Sequence, residues 1–91
     1  MSMSGVSVAS SKSLQLEATQ EAYNKQIGRL NTLLVQDDTH EEIVMAKMVE
    51  LTQQEAMLSQ FSAVELGKMC SNIKQNIDDF LGRLNEKHIT A

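Results

Sequence analysis

The chain has 91 residues and a formal net charge of −4; 42% of its residues are hydrophobic, 3% are aromatic and none is proline. This length fits one small domain and excludes an enzyme built from two domains. The 12 acidic and eight basic residues argue against nucleic-acid binding, which needs clustered Lys and Arg. With four glycines and no proline, the composition also disfavours a turn-rich sheet protein and predicts an all-α fold.

The N-terminal segment is rich in serine. Residues 1–12 hold five serines and no acidic residue, with too few apolar side chains to offset the entropy lost on ordering. We therefore predict a disordered tail over residues 1–12. From Ser13 onward, apolar residues recur at helical spacing, which predicts a first helix over 13–35. The apolar stripe of this helix is Leu16, Tyr23, Ile27, Leu30 and Leu34.

An acidic segment interrupts this rhythm. Residues 36–42 include four acidic residues and no basic one, which predicts a turn over 36–40. Thr39 and Glu42 have the spacing of a capping box, in which each side chain accepts a hydrogen bond from the other residue's backbone N–H. A second helix is therefore predicted to begin at residue 41.

The second helix is predicted to be long, running over residues 41–87. One apolar stripe continues through it at about 3.6 residues per step, close to the period of a straight helix. Gly67 lies inside this helix at a cost of about 1 kcal/mol, which a long helix can absorb. The stripe comprises Val44, Met48, Leu51, Leu58, Leu66, Met69, Ile73, Ile77, Phe80 and Leu84.

An alternative division gives three helices. Ser62 and Glu65 also have capping-box spacing and could begin a third helix, which would make a three-helix bundle. Against this alternative, residues 58–61 contain no Gly or Pro to form a connection. The sequence thus favours a helical hairpin with a long C-terminal helix, and the three-helix bundle remains the alternative.

The hairpin leaves apolar surface uncovered. Its first helix would be about 34 Å long and its second about 66 Å, so half of the second would lack cover within the chain. A second copy or another helical protein would have to bury that strip, whereas the three-helix bundle would bury it internally. The predicted partner-binding residues are Leu58, Phe61, Leu66, Met69, Ile73, Ile77, Phe80 and Leu84.

Residues that could carry chemistry are few. His40, Glu41 and Glu42 are adjacent and so point in different directions around a helix, unlike metal ligands spaced four apart. Cys70 is the single cysteine, so it forms no internal disulfide, and it is interpreted as a packed thiol rather than a nucleophile. We predict no catalytic residue, metal site or cofactor. Either an adaptable binding face or ordinary core packing explains the methionines of the second helix, Met45, Met48, Met57 and Met69.

One segment resembles a known family. Leu58-Ser59-Gln60-Phe61-Ser62, followed by the amphipathic stretch to Leu84, resembles the C-terminal region of type III secretion needle and inner-rod subunits. The resemblance implies a structural subunit whose terminal helix packs side by side with its copies in a tube. It also implies export through an uncleaved, serine-rich N-terminus. By the same resemblance, the candidates for exposed positions on that helix are Lys68, Asn72, Gln75 and Asn76.

Two functions are therefore expected from the sequence. The first is a non-enzymatic assembly subunit that self-associates through its C-terminal helix, as an inner-rod or needle-like component of a type III secretion apparatus. The second is a small helical chaperone or adaptor that binds a partner helix. No apolar run reaches about 18 residues, so no membrane span is expected. We expect a cytoplasmic protein before assembly, and any export would proceed without a cleaved signal peptide.

Overall fold

The chain folds into three helices. The computed structural model describes the backbone of residues 3–90 and the side chains of residues 12–85. Within that part of the chain there is no β-strand, and the predicted all-α class is confirmed. The helices are α1 (Met3–Gln36), α2 (Glu41–Ala56) and α3 (Ala63–Thr90), with a short 3-10 turn (Leu58–Gln60) between the last two.

Helix α1 is longer than predicted at its N-terminal end. It begins at Met3 rather than at Ser13, and it ends at Gln36, one residue beyond the predicted end. The disordered tail predicted over residues 1–12 is not confirmed and stays a prediction. Met1, Ser2 and the side chains up to residue 11 lie outside the described residues.

The three helices pack side by side as a bundle. Thr19 and Arg29 of α1 contact Leu66 and Asp78 of α3, so these two helices run parallel. Tyr23 of α1 contacts Gln54 of α2, whereas α1 residues nearer the turn lie against the start of α2, so these two are antiparallel. The result is an elongated rod with extents of 62 × 19 × 18 Å.

The long C-terminal helix is the main correction to the sequence-based architecture. The helix predicted to run unbroken over 41–87 is divided at Met57–Ser62, and the alternative with three helices describes the chain. Phe61 is extended, with φ −94° and ψ 156°, and this residue ends the 3-10 turn. Because no residue in the described backbone has a positive φ, this connection does not require glycine.

A capping box begins α3 at Ser62. The Ser62 N–H donates to Glu65 Oε1 at 3.0 Å, and the Glu65 N–H donates to Ser62 Oγ at 3.2 Å. These reciprocal bonds satisfy backbone donors at the start of the helix. Leu58 is fully buried, so the connection is also held by burial of its own side chain in the core. Capping and burial together stabilise the helix break, although residues 58–61 contain no Gly or Pro.

The capping box predicted at Thr39 is not formed. His40, rather than Thr39, precedes α2, and no side chain caps that helix. The Thr39 N–H donates to Asp37 Oδ1 at 3.0 Å, and the Thr39 hydroxyl donates to the same oxygen. The Asp37 carboxylate therefore takes up the donors of Thr39 in a local turn, and this turn competes with the cap.

The core follows the axis of the rod. Thr19 is the fully buried polar residue on α1, and its hydroxyl lies 2.6 Å from the carbonyl oxygen of Gln15 and 3.1 Å from that of Leu66. This contact joins the start of α3 to α1. The buried hydrophobic residues, nearly all aliphatic, are Tyr23, Leu30, Val44, Leu51, Leu58, Leu66, Ile73, Ile77 and Leu84.

Candidate interaction surface

The residues predicted to bind a partner lie inside the bundle. Leu58, Leu66, Ile73, Ile77 and Leu84 are buried, and Phe61, Met69 and Phe80 are half-buried against the same core. The premise that half of the second helix lacks cover is therefore corrected. Because the chain turns back after α2, α3 packs along α1, which covers most of its apolar face, and Val44 and Lys47 of α2 approach the part of α3 near Phe80 and Leu84. A role for these eight residues in binding a partner stays a prediction.

The polar positions assigned to α3 by the family resemblance lie on its outer face. Lys68, Asn72, Gln75 and Asn76 are all exposed. Their exposure follows from the helical period, since the residues between them carry the buried stripe. Gln75 is held by a hydrogen bond from its side-chain amide to Asp79 Oδ1 at 2.9 Å.

Apolar side chains remain exposed between α1 and α2. We define the α1–α2 groove as the shallow depression of about 390 Å³ between these helices on the side away from α3. Met45 and Val49 are 50% and 56% exposed there. Each follows a stripe residue of α2, so it lies just outside the core face and turns outward. The groove is lined by Asn31, Leu34, Met45, Met48, Val49, Thr52 and Gln53.

The groove continues toward the other end of α2 with a more polar lining. Ile27, Asn24 and Glu55 line this continuation, which shares Thr52 with the apolar part. The Asn24 amide donates to the Glu55 carboxylate at 2.7 Å in the amide orientation that satisfies both groups. The α1–α2 interface is thus apolar toward the turn and carries a carboxylate further along.

Two cations on these helices, Lys47 and Arg29, face α3. Lys47 Nζ lies 2.6 Å from Glu50 Oε2 and 5.5 Å from the ring centroid of Phe80, on the α3 side of α2. Arg29 Nη1 lies 2.6 Å from Asp78 Oδ1, on the α3 side of α1. Among the described side chains, none that lines the groove is basic. Glu41 and Glu42 precede Met45 by four and three residues, so they lie on the same side of α2 at the end near the turn.

Two carboxylates on α3 have lowered pKa values. Hydrogen bonds from Lys74 and then Arg29 hold the pKa of Asp78 below its usual range. The backbone and hydroxyl hydrogen bonds of Ser62 lower the pKa of Glu65. On α1, burial raises the pKa of the Tyr23 phenol, with a smaller contribution from Glu50. These shifts arise from contacts that join or cap helices, so they report on folding rather than on a reactive group.

A second cavity opens at the end of the rod. Its volume is about 450 Å³, and it lies where the α1–α2 turn approaches α3. Leu33, Val44, Leu81 and Leu84 form its apolar lining, and polar residues including Arg29 surround them. This cavity opens onto the core and lies beside Asn85, the last residue of α3 whose side chain is described.

Other kinds of site find little support in the described residues. No group of three or more His, Cys, Asp or Glu side chains there is placed to hold a metal ion. Cys70 is a half-buried free thiol. Within their described residues, none of the helices is long and apolar enough to span a bilayer.

Comparisons with protein-family models, curated proteins and solved structures find no match to the chain. The resemblance to type III secretion subunits therefore stays a prediction. The α1–α2 groove was missed in the sequence because Met45 and Val49 lie beside a regular apolar stripe. The available signal was that these two apolar residues fall outside the stripe, spaced four apart.

Proposed function

We propose that the protein is a small helical adaptor that binds other proteins through the surface of its three-helix bundle. The observation that supports this function best is the division of its apolar surface. The apolar stripe of α3, called the α3 stripe, is covered within the chain, whereas Met45 and Val49 remain exposed in a groove. The α3 stripe comprises Leu66, Met69, Ile73, Ile77, Phe80 and Leu84. A groove with exposed methionine suits protein recognition, because the unbranched thioether conforms to different partner surfaces.

The size of the native complex tests this proposal. The chain has a mass of 10.1 kDa, so a free monomer and a complex with another protein separate readily by gel filtration. We expect the chain in a native cell lysate to elute as a larger complex, which contains a second protein in fixed ratio. Recovery of the whole pool as a free monomer would contradict the adaptor function.

The second candidate is the assembly subunit implied by the family resemblance. The helix break covers residues 57–62, and α3 begins at Ala63, directly after the Leu58-to-Ser62 segment that carries the resemblance. In this candidate, α1 and α2 detach from α3 and copies of the released α3 pack together through Leu66, Ile73 and Ile77. The subunit would then act as an inner-rod or needle-like component, exported without a cleaved signal peptide.

Weakening α2 distinguishes the two candidates. Leu51 is buried in α2, so Leu51→Ala favours release of that helix from the bundle. An assembly subunit of this kind would form larger species faster after the substitution, as followed by light scattering and sedimentation. An adaptor would only melt at a lower temperature. The matched control is Ile43→Ala, which shortens an exposed side chain on the same helix outside the groove.

A further inference from the structure

The α1–α2 groove has the length and the shape to receive one helix. The apolar part of the groove follows α2 from Met45 to Gln53, and the polar continuation reaches Ala56, so together they span about 17 Å at about 1.5 Å per residue. Along this span the groove presents Met45, Met48 and Val49 from α2 and Leu34 from α1. An amphipathic helix placed in such a groove buries side chains spaced three and four residues apart.

The charges around the groove select the partner. Glu41 and Glu42 are exposed in the first turn of α2, and Glu55 lies at the far end of the groove. None of the described residues that line the groove or its continuation is basic. Arg29 pairs with Asp78 of α3, and Lys47 pairs with Glu50 and lies near the Phe80 ring. The apolar centre is therefore flanked by negative charge at both ends.

We propose that the α1–α2 groove binds a basic amphipathic helix of a partner protein, with an apolar stripe flanked by Lys or Arg. This inference rests on the proposed adaptor function and names its surface and partner chemistry. Apolar burial in the groove supplies affinity, and the flanking carboxylates select cationic partners and speed association.

A second copy of the chain is a poorer occupant. In a two-fold dimer formed groove to groove, each copy would bring the same carboxylates, Glu41, Glu42 and Glu55, to the contact. Like charges brought together in this way oppose association. A basic helix supplies the missing complementary charge, whereas another acidic face does not.

The test uses designed peptides and the full chain. The probe is a helical peptide of about 16 residues, matched to the length of α2, with a leucine stripe flanked by lysines and one tryptophan. Because the chain contains no Trp, peptide fluorescence reports binding without background from the protein. Two reference peptides serve as controls. The first is a scrambled peptide with the same composition as the probe, and the second keeps the leucine stripe but carries Glu in place of Lys.

Two variants of the chain locate the site. Val49→Asp places a charge in the groove and is expected to weaken binding of the lysine peptide by at least about tenfold. Val64→Asp is the matched control: it introduces the same charge at a 70% exposed position on α3, outside the groove, and is expected to leave binding unchanged. Glu41→Gln is expected to weaken binding about twofold to fivefold at low salt. Circular dichroism verifies that each variant is folded.

Each outcome decides the proposal. Binding of the lysine peptide that is lost in Val49→Asp and retained in Val64→Asp supports it. Failure of the lysine peptide to bind, equal binding of the Glu peptide, or equal loss in both variants overturns it. Dimerisation of the chain that Val49→Asp abolishes also overturns it, because the occupant is then a second copy.

The adaptor function is tested separately by the native complex. If the complex from the lysate stays intact with Val49→Asp, the adaptor function stands and the groove is not its binding surface. If the wild-type chain binds the lysine peptide but elutes from the lysate as a free monomer, the groove binds basic helices and the adaptor function fails.

Discussion

Truncation of Ile77 measures how completely the chain covers its own α3 stripe. Ile77 is 0% exposed, at the contact of α3 with the rest of the core. Ile77→Ala removes about three buried carbon groups, worth about 2.4 kcal/mol at about 0.8 kcal/mol each, and leaves a cavity that adds to the loss. We expect a total loss of about 3 kcal/mol from the free energy of unfolding, measured by urea denaturation with far-UV circular dichroism.

The controls for this prediction are a smaller change and an exposed one. Ile77→Val is expected to cost about 1 kcal/mol. Val64→Ala, at an exposed position on the same helix, is expected to change stability by less than about 0.5 kcal/mol. Sedimentation of each variant at several protein concentrations monitors its self-association. A loss below about 1 kcal/mol for Ile77→Ala, together with a change in oligomeric state, would refute internal cover and favour a stripe buried between copies.

Three further substitutions test local features of the fold. Ser62→Ala removes the hydroxyl that caps α3 and is expected to destabilise the chain by about 1 kcal/mol in the same urea assay; no change would mean that the capping box does not hold the helix break. Asp78 has a lowered pKa through Lys74 and Arg29, so its stabilisation is present above the unfolded-state pKa and is lost as the pH falls toward the folded-state value. Asp78→Asn should reduce the dependence of the free energy of unfolding on pH between mildly acidic and strongly acidic buffer. An unchanged dependence would mean that other carboxylates cause it. Gly28→Ala in α1 adds a methyl group that meets no atom within 4 Å, and it is expected to raise the melting temperature through a gain of about 1 kcal/mol; a lower melting temperature would contradict the open surroundings of that position.

The predictions from sequence were best where only local periodicity matters. The α1 stripe residues Tyr23 and Leu30 are buried as their spacing predicts, and the turn after Gln36 lies where acidic residues interrupt the rhythm. The spacing of capping-box residues predicts helix starts less well than the apolar periodicity predicts burial. It is realised at Ser62 but not at Thr39, because the Asp37 carboxylate competes for the Thr39 donors.

The sequence by itself determined the helical class and which face of each helix is apolar, because both follow from composition and from a period of 3.6 residues. Only the tertiary structure decided what covers the α3 stripe. Leu66 and Ile77 have the same spacing whether they pack on α1 or on another molecule, so periodicity cannot distinguish the two. The tertiary structure also decided that Met45 and Val49 stay exposed, because α3 packs on the opposite side of the α1–α2 pair. The physical reason is that burial depends on which segments meet in space. Here α3 meets α1 because the chain turns back at a helix break that contains neither Gly nor Pro.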